Sequence, residues 1–118
     1  MKHIQYCIAL VAFTSLSLMS FSDDMLKTSL TVIVRDEVGN TVEGATIQLF
    51  EKEDDYKAEK NAVATEVTDE KGTAKFKDMK AIAFYALVKK GDKDNIGGGE
   101  QIGKLEEGKF NKVTIVIQ

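Results

Sequence analysis

The chain has 118 residues with 16 basic and 19 acidic side chains, a net charge of −3, one Cys, one His, no Trp and no Pro. This length corresponds to one domain at most. The mildly acidic, mixed charge argues against nucleic acid or an anionic lipid surface as the partner.

Residues 1–22 have the features of a secretory signal peptide. A short basic start that includes Lys2 precedes the uncharged, mostly apolar stretch 4–21, and small residues precede a cleavage site after about Ser22. Several hydroxyl side chains in this stretch, and no basic cluster after it, argue against a permanent membrane anchor. The sequence therefore predicts a secreted or periplasmic protein of the cell envelope, with a mature domain over 23–118 and no membrane span.

The predicted mature domain lacks the residues on which several kinds of catalysis depend. It contains no His and no Cys, and removal of Lys2 leaves 15 basic against 19 acidic residues, a net charge of −4. Nucleophilic sites that pair Ser or Cys with His, and zinc sites built from His or Cys, are therefore excluded. Because no side chain has an ordinary pKa near neutrality, we expect no enzyme. We also expect no cofactor and no metal centre built from His or Cys.

Short segments in which apolar and polar residues alternate follow one another along the predicted mature domain. Alternation with a period of two indicates β-strands, and turn-forming residues separate the segments. The sequence therefore predicts an all-β fold, an antiparallel β-sandwich of about seven strands. The predicted strands lie at 30–35, 45–50, 63–68, 73–77, 81–88 and 113–117.

Two connections between these strands have distinct compositions. Residues 51–60 hold five acidic and three basic side chains around Tyr56 and are interpreted as a solvated loop, with one or two helical turns as the alternative. Segment 69–72, Asp-Glu-Lys-Gly, is typical of a hairpin turn. We expect Asp69 to cap this turn with its side chain and Gly72 to adopt a left-handed backbone conformation.

Two sequence signatures resemble those of a known family. Segment 31–50 consists of a strand, an Asp-x-x-Gly-Asn turn, a short link, Gly-Ala and a second strand, and segment 65–76 consists of a strand, Thr-Asp-x-x-Gly and a strand ending in Phe. With 84–88, they resemble carboxypeptidase-regulatory-like domains, which belong with the Cna B-type and transthyretin-like (prealbumin-like) sandwiches. The resemblance covers 30–88 and implies a prealbumin-like, Ig-like Greek-key sandwich. It does not imply an activity, because function resides in the site.

The stretch 91–108 contains the candidate binding residues. It holds six of the nine glycines, and loops of this kind commonly carry binding residues. Ile96, flanked by Asn and three Gly, would be an apolar anchor if exposed. The sequence therefore predicts a non-catalytic accessory or protein-interaction module whose partner is an unknown envelope protein or glycan. The candidate ligand- or partner-binding residues are Asp92, Asp94, Asn95 and Ile96.

The alternative function is a small carbohydrate- or calcium-binding module that uses the Gly91–Glu100 loop. Side-chain oxygens of this loop, with backbone carbonyls, could surround a hard cation. The helical calcium-hand motif itself fails, because Ile96 and Gly103 occupy two of its ligand positions.

A further alternative follows from the family resemblance. Some Cna B-type domains join a Lys of the first strand to an Asn or Asp of the last strand through a covalent bond. Here the corresponding residues would be Lys27 and Asn111. Lys27 is out of phase with the predicted inward residues of the first strand, so we expect no crosslink.

Overall fold

The computed structural model describes residues 27–118, and the predicted signal peptide 1–22 lies outside them. Over this range the chain forms two β-sheets and one short helix, which confirms the predicted all-β sandwich. No helix in this range has the length and apolar character needed to cross a bilayer. In chain order the elements are β1 (Ser29–Arg35), β2 (Thr46–Phe50), α1 (Glu53–Ala58), β3 (Ala64–Val67), β4 (Thr73–Phe76), β5 (Phe84–Lys90), β6 (Lys93–Asp94), β7 (Gln101–Ile102) and β8 (Phe110–Val116).

The two sheets differ in size and in how their strands pair. The smaller sheet has the order β4-β1-β8, and the larger has the order β3-β2-β5, with β6 and β7 both pairing with β5. All strand pairs are antiparallel except β1 and β8, which are parallel over seven residue pairs. The sandwich thus departs at one edge from the antiparallel pairing expected, because the last strand enters the small sheet from the same end as the first.

The core between the sheets follows the alternation read from the sequence. Leu30, Val32 and Val34 of β1 are fully buried and belong to one cluster with Ile47 and Leu49 of β2. Alternate side chains of a strand point to opposite faces, so every second residue faces the other sheet. Burial of this apolar surface is the main source of stability for the fold.

The last predicted strand is confirmed, and the side chains predicted to point inward do so. Ile115 and Ile117 are buried, and Val113 is half-buried against the core. The intervening residues Lys112 and Thr114 are exposed. One face of β8 therefore contributes to the core, and the other faces outward.

The interpretation of residues 51–60 as a solvated loop is wrong, and the alternative of one or two helical turns is confirmed, because Glu53–Ala58 forms the helix α1. Acidic residues occupy its first turn and Lys57 its last, which complements the helix dipole. Glu59 ends the helix in a left-handed conformation with φ 54°. A six-residue helix is unstable alone, so its formation depends on the tertiary packing of Tyr56. The charge pattern of residues 51–60 gives no information about that packing.

The turn between β3 and β4 is confirmed in detail. Oδ1 of Asp69 accepts hydrogen bonds from the backbone N–H of Thr73 at 3.0 Å and of Lys71 at 2.9 Å. These bonds stabilise the ionised carboxylate and lower the pKa of Asp69. Gly72 has φ 72°, and a Cβ atom there would lie 2.9 Å from the carbonyl oxygen of Val34. Only glycine meets both requirements at this position.

Candidate functional site

The loop that contains the candidate binding residues is held against the exposed edge of β5. β6 and β7 pair with the two ends of β5 on the edge opposite β2, and leave the middle of that edge without a strand neighbour. The side chain of Asn95 fills this gap: Oδ1 accepts from the N–H of Val88 at 2.9 Å, and Nδ2 donates to the carbonyl of Ala86 at 2.8 Å. Asn95 is 2% exposed. Its side-chain amide makes the two hydrogen bonds that a neighbouring strand would otherwise make with this part of β5.

Asn95 therefore has a different position from the one expected for a residue that contacts a ligand. Both ends of its amide are occupied by the backbone of β5, and it is enclosed by the fold. Its side chain positions the loop that follows it. Nothing in the residue type distinguishes such an asparagine from a loop ligand, since the gap in β5 appears only once the sheet is assembled.

Two carboxylates fix the backbone on either side of Ile96. Oδ1 of Asp94 accepts from the N–H of Ile96 at 3.0 Å, and Oε1 of Glu100 accepts from the N–H of Gly97 at 2.6 Å. Asp94 is also paired through its backbone with Gln118. The side chain of Ile96 remains 57% exposed. The loop thus presents one apolar side chain on a backbone that hydrogen bonds hold in place.

Asp92 is separated from this group, because it lies in the tight connection between β5 and β6. Asp94, Asn95 and Ile96 are brought together.

Within residues 27–118, no three acidic, His or Cys side chains lie close enough to hold a metal ion. The calcium alternative accordingly receives no support from the arrangement of Asp94 and Glu100, which both bind backbone N–H groups.

An aromatic cluster that sequence reasoning missed lies beneath α1. The Tyr56 ring stacks on that of Tyr85 and meets that of Phe50 edge-on, with centroid distances of 6.0 Å in both pairs. Its hydroxyl is buried and has no hydrogen-bond partner in the described part of the chain. Burial, with smaller contributions from Glu100 and other nearby carboxylates, raises the pKa of Tyr56. Tyr56 is therefore a packing residue that stays protonated. The sequence feature that could have indicated this packing is a single aromatic residue among the charged residues 51–60.

The outer surface of the small sheet carries a group of lysines that sequence reasoning also missed. The strand register places Lys75 and Lys112 on either side of Thr31 in one cross-strand row. Phe110, opposite Ser29, is 93% exposed. A cleft of about 900 Å³ lies on this side and is lined in part by Thr31, Lys75, Lys77, Asp78, Lys109 and Phe110. We call this surface the open face and define it by Thr31, Lys75, Lys77, Lys109, Phe110 and Lys112.

The crosslink considered from the family resemblance has no suitable geometry. Nζ of Lys27 lies 3.9 Å from Oδ1 of Asp78, and both side chains are well exposed. Nδ2 of Asn111 donates to the carbonyls of Ser29 at 3.0 Å and Glu106 at 3.1 Å. Asn111 therefore fastens the start of β8 to β1 and to the preceding loop through hydrogen bonds.

Comparison with known proteins identifies the fold. No protein-family model and no curated protein matches this chain. Among solved structures it is similar to BcpA, the major pilin subunit of Bacillus cereus, with 18% identity and a TM-score of 0.54 over 77% of this chain and 30% of that one. It is also similar to a streptococcal ancillary pilin, with 17% identity and a TM-score of 0.54 over 80% of this chain and 33% of that one.

These similarities concern a part of each pilin, since the chain spans about a third of their length. At this level of identity they define the class of fold, a β-sandwich of the kind found in pilin subunits. This class agrees with the resemblance to Cna B-type sandwiches.

Proposed function

We propose that this chain is an exported, non-catalytic β-sandwich that serves as a protein-interaction module of the cell envelope. The observation that carries the proposal is the exposure of Ile96, 57%, on a loop whose backbone is held by Asp94, Asn95 and Glu100. An apolar anchor on a pre-organised loop loses less conformational entropy on binding than one on a flexible loop.

The non-catalytic part of the proposal is supported by composition. Neither His nor Cys occurs after residue 22, and the phenol of Tyr56 has its pKa raised away from neutrality. General acid–base and nucleophilic catalysis depend on groups that titrate near the working pH. The similar solved structures are a major pilin subunit and an ancillary pilin, which also favours a structural or binding role.

The finer parts of the proposal concern family and location. We propose that residues 1–22 are a signal peptide removed after about Ser22, and that 23–118 is the mature domain in the periplasm, at the surface or in the medium. We also assign the domain to the carboxypeptidase-regulatory-like branch of these sandwiches, on the two signatures at 31–50 and 65–76. A glycan or calcium ion as the ligand of the loop is the competing function.

The test is affinity capture from an envelope extract with three forms of the mature domain. The forms are wild type, Ile96→Ser and Val38→Ser, which changes another exposed apolar residue (84% exposed) in the turn after β1. We expect a partner retained by wild type and Val38→Ser and lost with Ile96→Ser, with equal melting temperatures for all three. Retention of the same partner by Ile96→Ser contradicts the proposal, and calorimetric binding of calcium or a glycan at the loop supports the competing function.

A further inference from the structure

We propose that the open face and the adjoining edge of β8 form a docking surface for an acidic, extended segment of a partner protein. This surface shares no residue with the Ile96 loop, so the inference goes beyond the proposed function. Three observations carry it: the uncompensated positive charge, the phase of the hydrogen bonds along β8, and the exposure of Phe110.

The charge of the open face is opposite to that of the whole chain. The chain has a net charge of −3, yet Lys75, Lys77 and Lys112 lie in no ion pair within residues 27–118. Lys109 approaches Glu106 only to 3.7 Å, with both side chains mostly exposed. Ion pairs of this kind are weak and readily replaced. A partner of complementary charge is therefore acidic.

The hydrogen bonds of β8 leave one edge of its backbone free at Lys112 and Thr114, and the same edge is closed beyond β8 by the pairing of Gln118 with Asp94. The N–H of Ile117 donates to the carbonyl of Arg35, and the N–H of Ser29 donates to the carbonyl of Lys109. In a parallel ladder, the backbone N–H and C=O groups of successive residues point alternately to the two edges of the strand. The backbone groups of the odd-numbered residues of β8 therefore point to β1. The backbone groups of Lys112 and Thr114 point to the other side, where no other strand of the described chain pairs with them.

A free strand edge favours a peptide over a glycan as the occupant. An extended peptide pairs its own N–H and C=O groups with those of the edge, which a sugar chain does not reproduce in register. The seven residues of β8 give enough length for such pairing. The charge of a lysine on an edge strand discourages pairing with other strands in general. An acidic side chain placed opposite Lys112 makes a favourable charge pair instead.

Side-chain spacing defines the sequence that the surface selects. Phe110, Lys112 and Thr114 alternate along the outer side of β8, so successive contacts recur every second residue. Phe110 at 93% exposure provides a large apolar contact at one end. A partner segment that alternates acidic with apolar or β-branched residues therefore places all its acidic side chains on the outer side, beside Lys112, and its apolar side chains on the opposite side, beside Val113 and Ile115.

The experiment uses synthetic probes and the mature domain. The acidic probe is a labelled peptide of about ten residues that alternates Glu and Val, long enough to span β8. A basic peptide that alternates Lys and Val controls for strand propensity, and heparin controls for general attraction to polyanions. Binding is measured by fluorescence anisotropy at about 50 mM and about 300 mM salt.

Matched charge-reversal variants assign the binding surface. Lys75→Glu combined with Lys112→Glu changes the open face, and Lys52→Glu combined with Lys60→Glu makes the same charge change beside α1. All four side chains are exposed, so we expect both double variants to fold. We expect the acidic peptide to bind about tenfold or more weakly to the first double variant, and within about twofold of wild type to the second.

Amide hydrogen exchange separates strand addition from general charge attraction. We expect the acidic peptide to slow exchange at Lys112 and Thr114. We expect no binding of the basic peptide, and loss of acidic-peptide binding at about 300 mM salt. Equal loss of affinity in both double variants overturns the assignment of the surface. Tighter binding of heparin than of the peptide, with the same dependence on Lys75 and Lys112, overturns the assignment of a peptide. Unchanged exchange at Lys112 and Thr114 in the bound state overturns strand addition.

Discussion

The two sheets of the sandwich present outer surfaces that differ in covering. On the larger sheet, Phe50 and Leu87 are buried although they lie outside the core cluster between the sheets, and α1 packs against β2 and β5 on this side through Tyr56. On the smaller sheet, Phe110 and Lys112 occupy equivalent outward positions and are exposed. Alternation along a strand therefore identifies residues that share a face, but it does not identify which outer face a later element covers.

The difference between the two surfaces indicates a division of roles. Covering by α1 adds a second, smaller apolar layer to the larger sheet, and this layer contributes to stability. The open face contributes little to stability, and its positive charge is available to a partner. Substitutions on the two surfaces should therefore differ in their effect on stability.

Leu87→Ala should destabilise the domain by about 2–4 kcal/mol, because it removes buried methyl groups beneath the covered surface. Val116→Thr is the matched change on the outer side of β8, where the residue is 46% exposed. We expect this control to change the free energy of unfolding by less than about 0.5 kcal/mol. Urea unfolding measures both, and similar losses would contradict the division of roles.

Asn95→Ala should cost about 1–3 kcal/mol, because the N–H of Val88 and the carbonyl of Ala86 lose their partner in a buried setting. Asp92→Ala in the neighbouring exposed turn is the control, and we expect it to be nearly neutral. Chemical denaturation gives the two values. An Asn95→Ala variant as stable as the control would show that the amide does not support the loop.

Asp69→Ala should lower the melting temperature at pH 7, because two backbone N–H groups lose their acceptor. The hydrogen bonds lower the pKa of Asp69 in the folded state, so its contribution is present above its ordinary pKa and lost as the pH falls through the folded value. Wild type and variant should therefore converge in acid. Glu70→Ala is the control, and a difference from wild type that persists at low pH would contradict this origin.

Tyr56→Phe should have the smallest effect at neutral pH, because the hydroxyl it removes has no partner in the described part of the chain. Burial raises the pKa of Tyr56 in the folded state, so ionisation opposes folding. The contribution of Tyr56 is present below its ordinary pKa of about 10 and is lost as the pH rises above it. Thermal unfolding at rising pH should show a shallower alkaline loss for Tyr56→Phe, and parallel profiles would contradict the burial of the phenol.

Sequence reasoning predicted the features that depend on local pattern. Six of the eight strands, the inward phase of Ile115 and Ile117, and the capping of the turn by Asp69 follow from alternation and turn chemistry alone. The two-residue strands β6 and β7 were not predicted. Helix α1 was predicted only as the alternative to a solvated loop, because its stability comes from Tyr56 packing against strands remote in the sequence. Asn95 was selected for its residue type, and its role became visible only with the gap between β6 and β7.

The open face could not be found by sequence pattern for the same reason. Lys75 and Lys112 are 37 positions apart in the chain and come together only through the pairing of both β4 and β8 with β1. Phe110 is of a residue type usually found in the core, and its exposure depends on which side of β8 the other sheet covers. Long-range strand order, rather than residue type, creates this surface.

The proposed docking surface requires a free edge along β8, and amide hydrogen exchange of the isolated mature domain tests for it. We expect slow exchange at Val113 and Ile115, whose N–H groups face β1, and fast exchange at Lys112 and Thr114. Uniformly slow exchange along β8 would contradict the account, because it would show that another segment already occupies the edge.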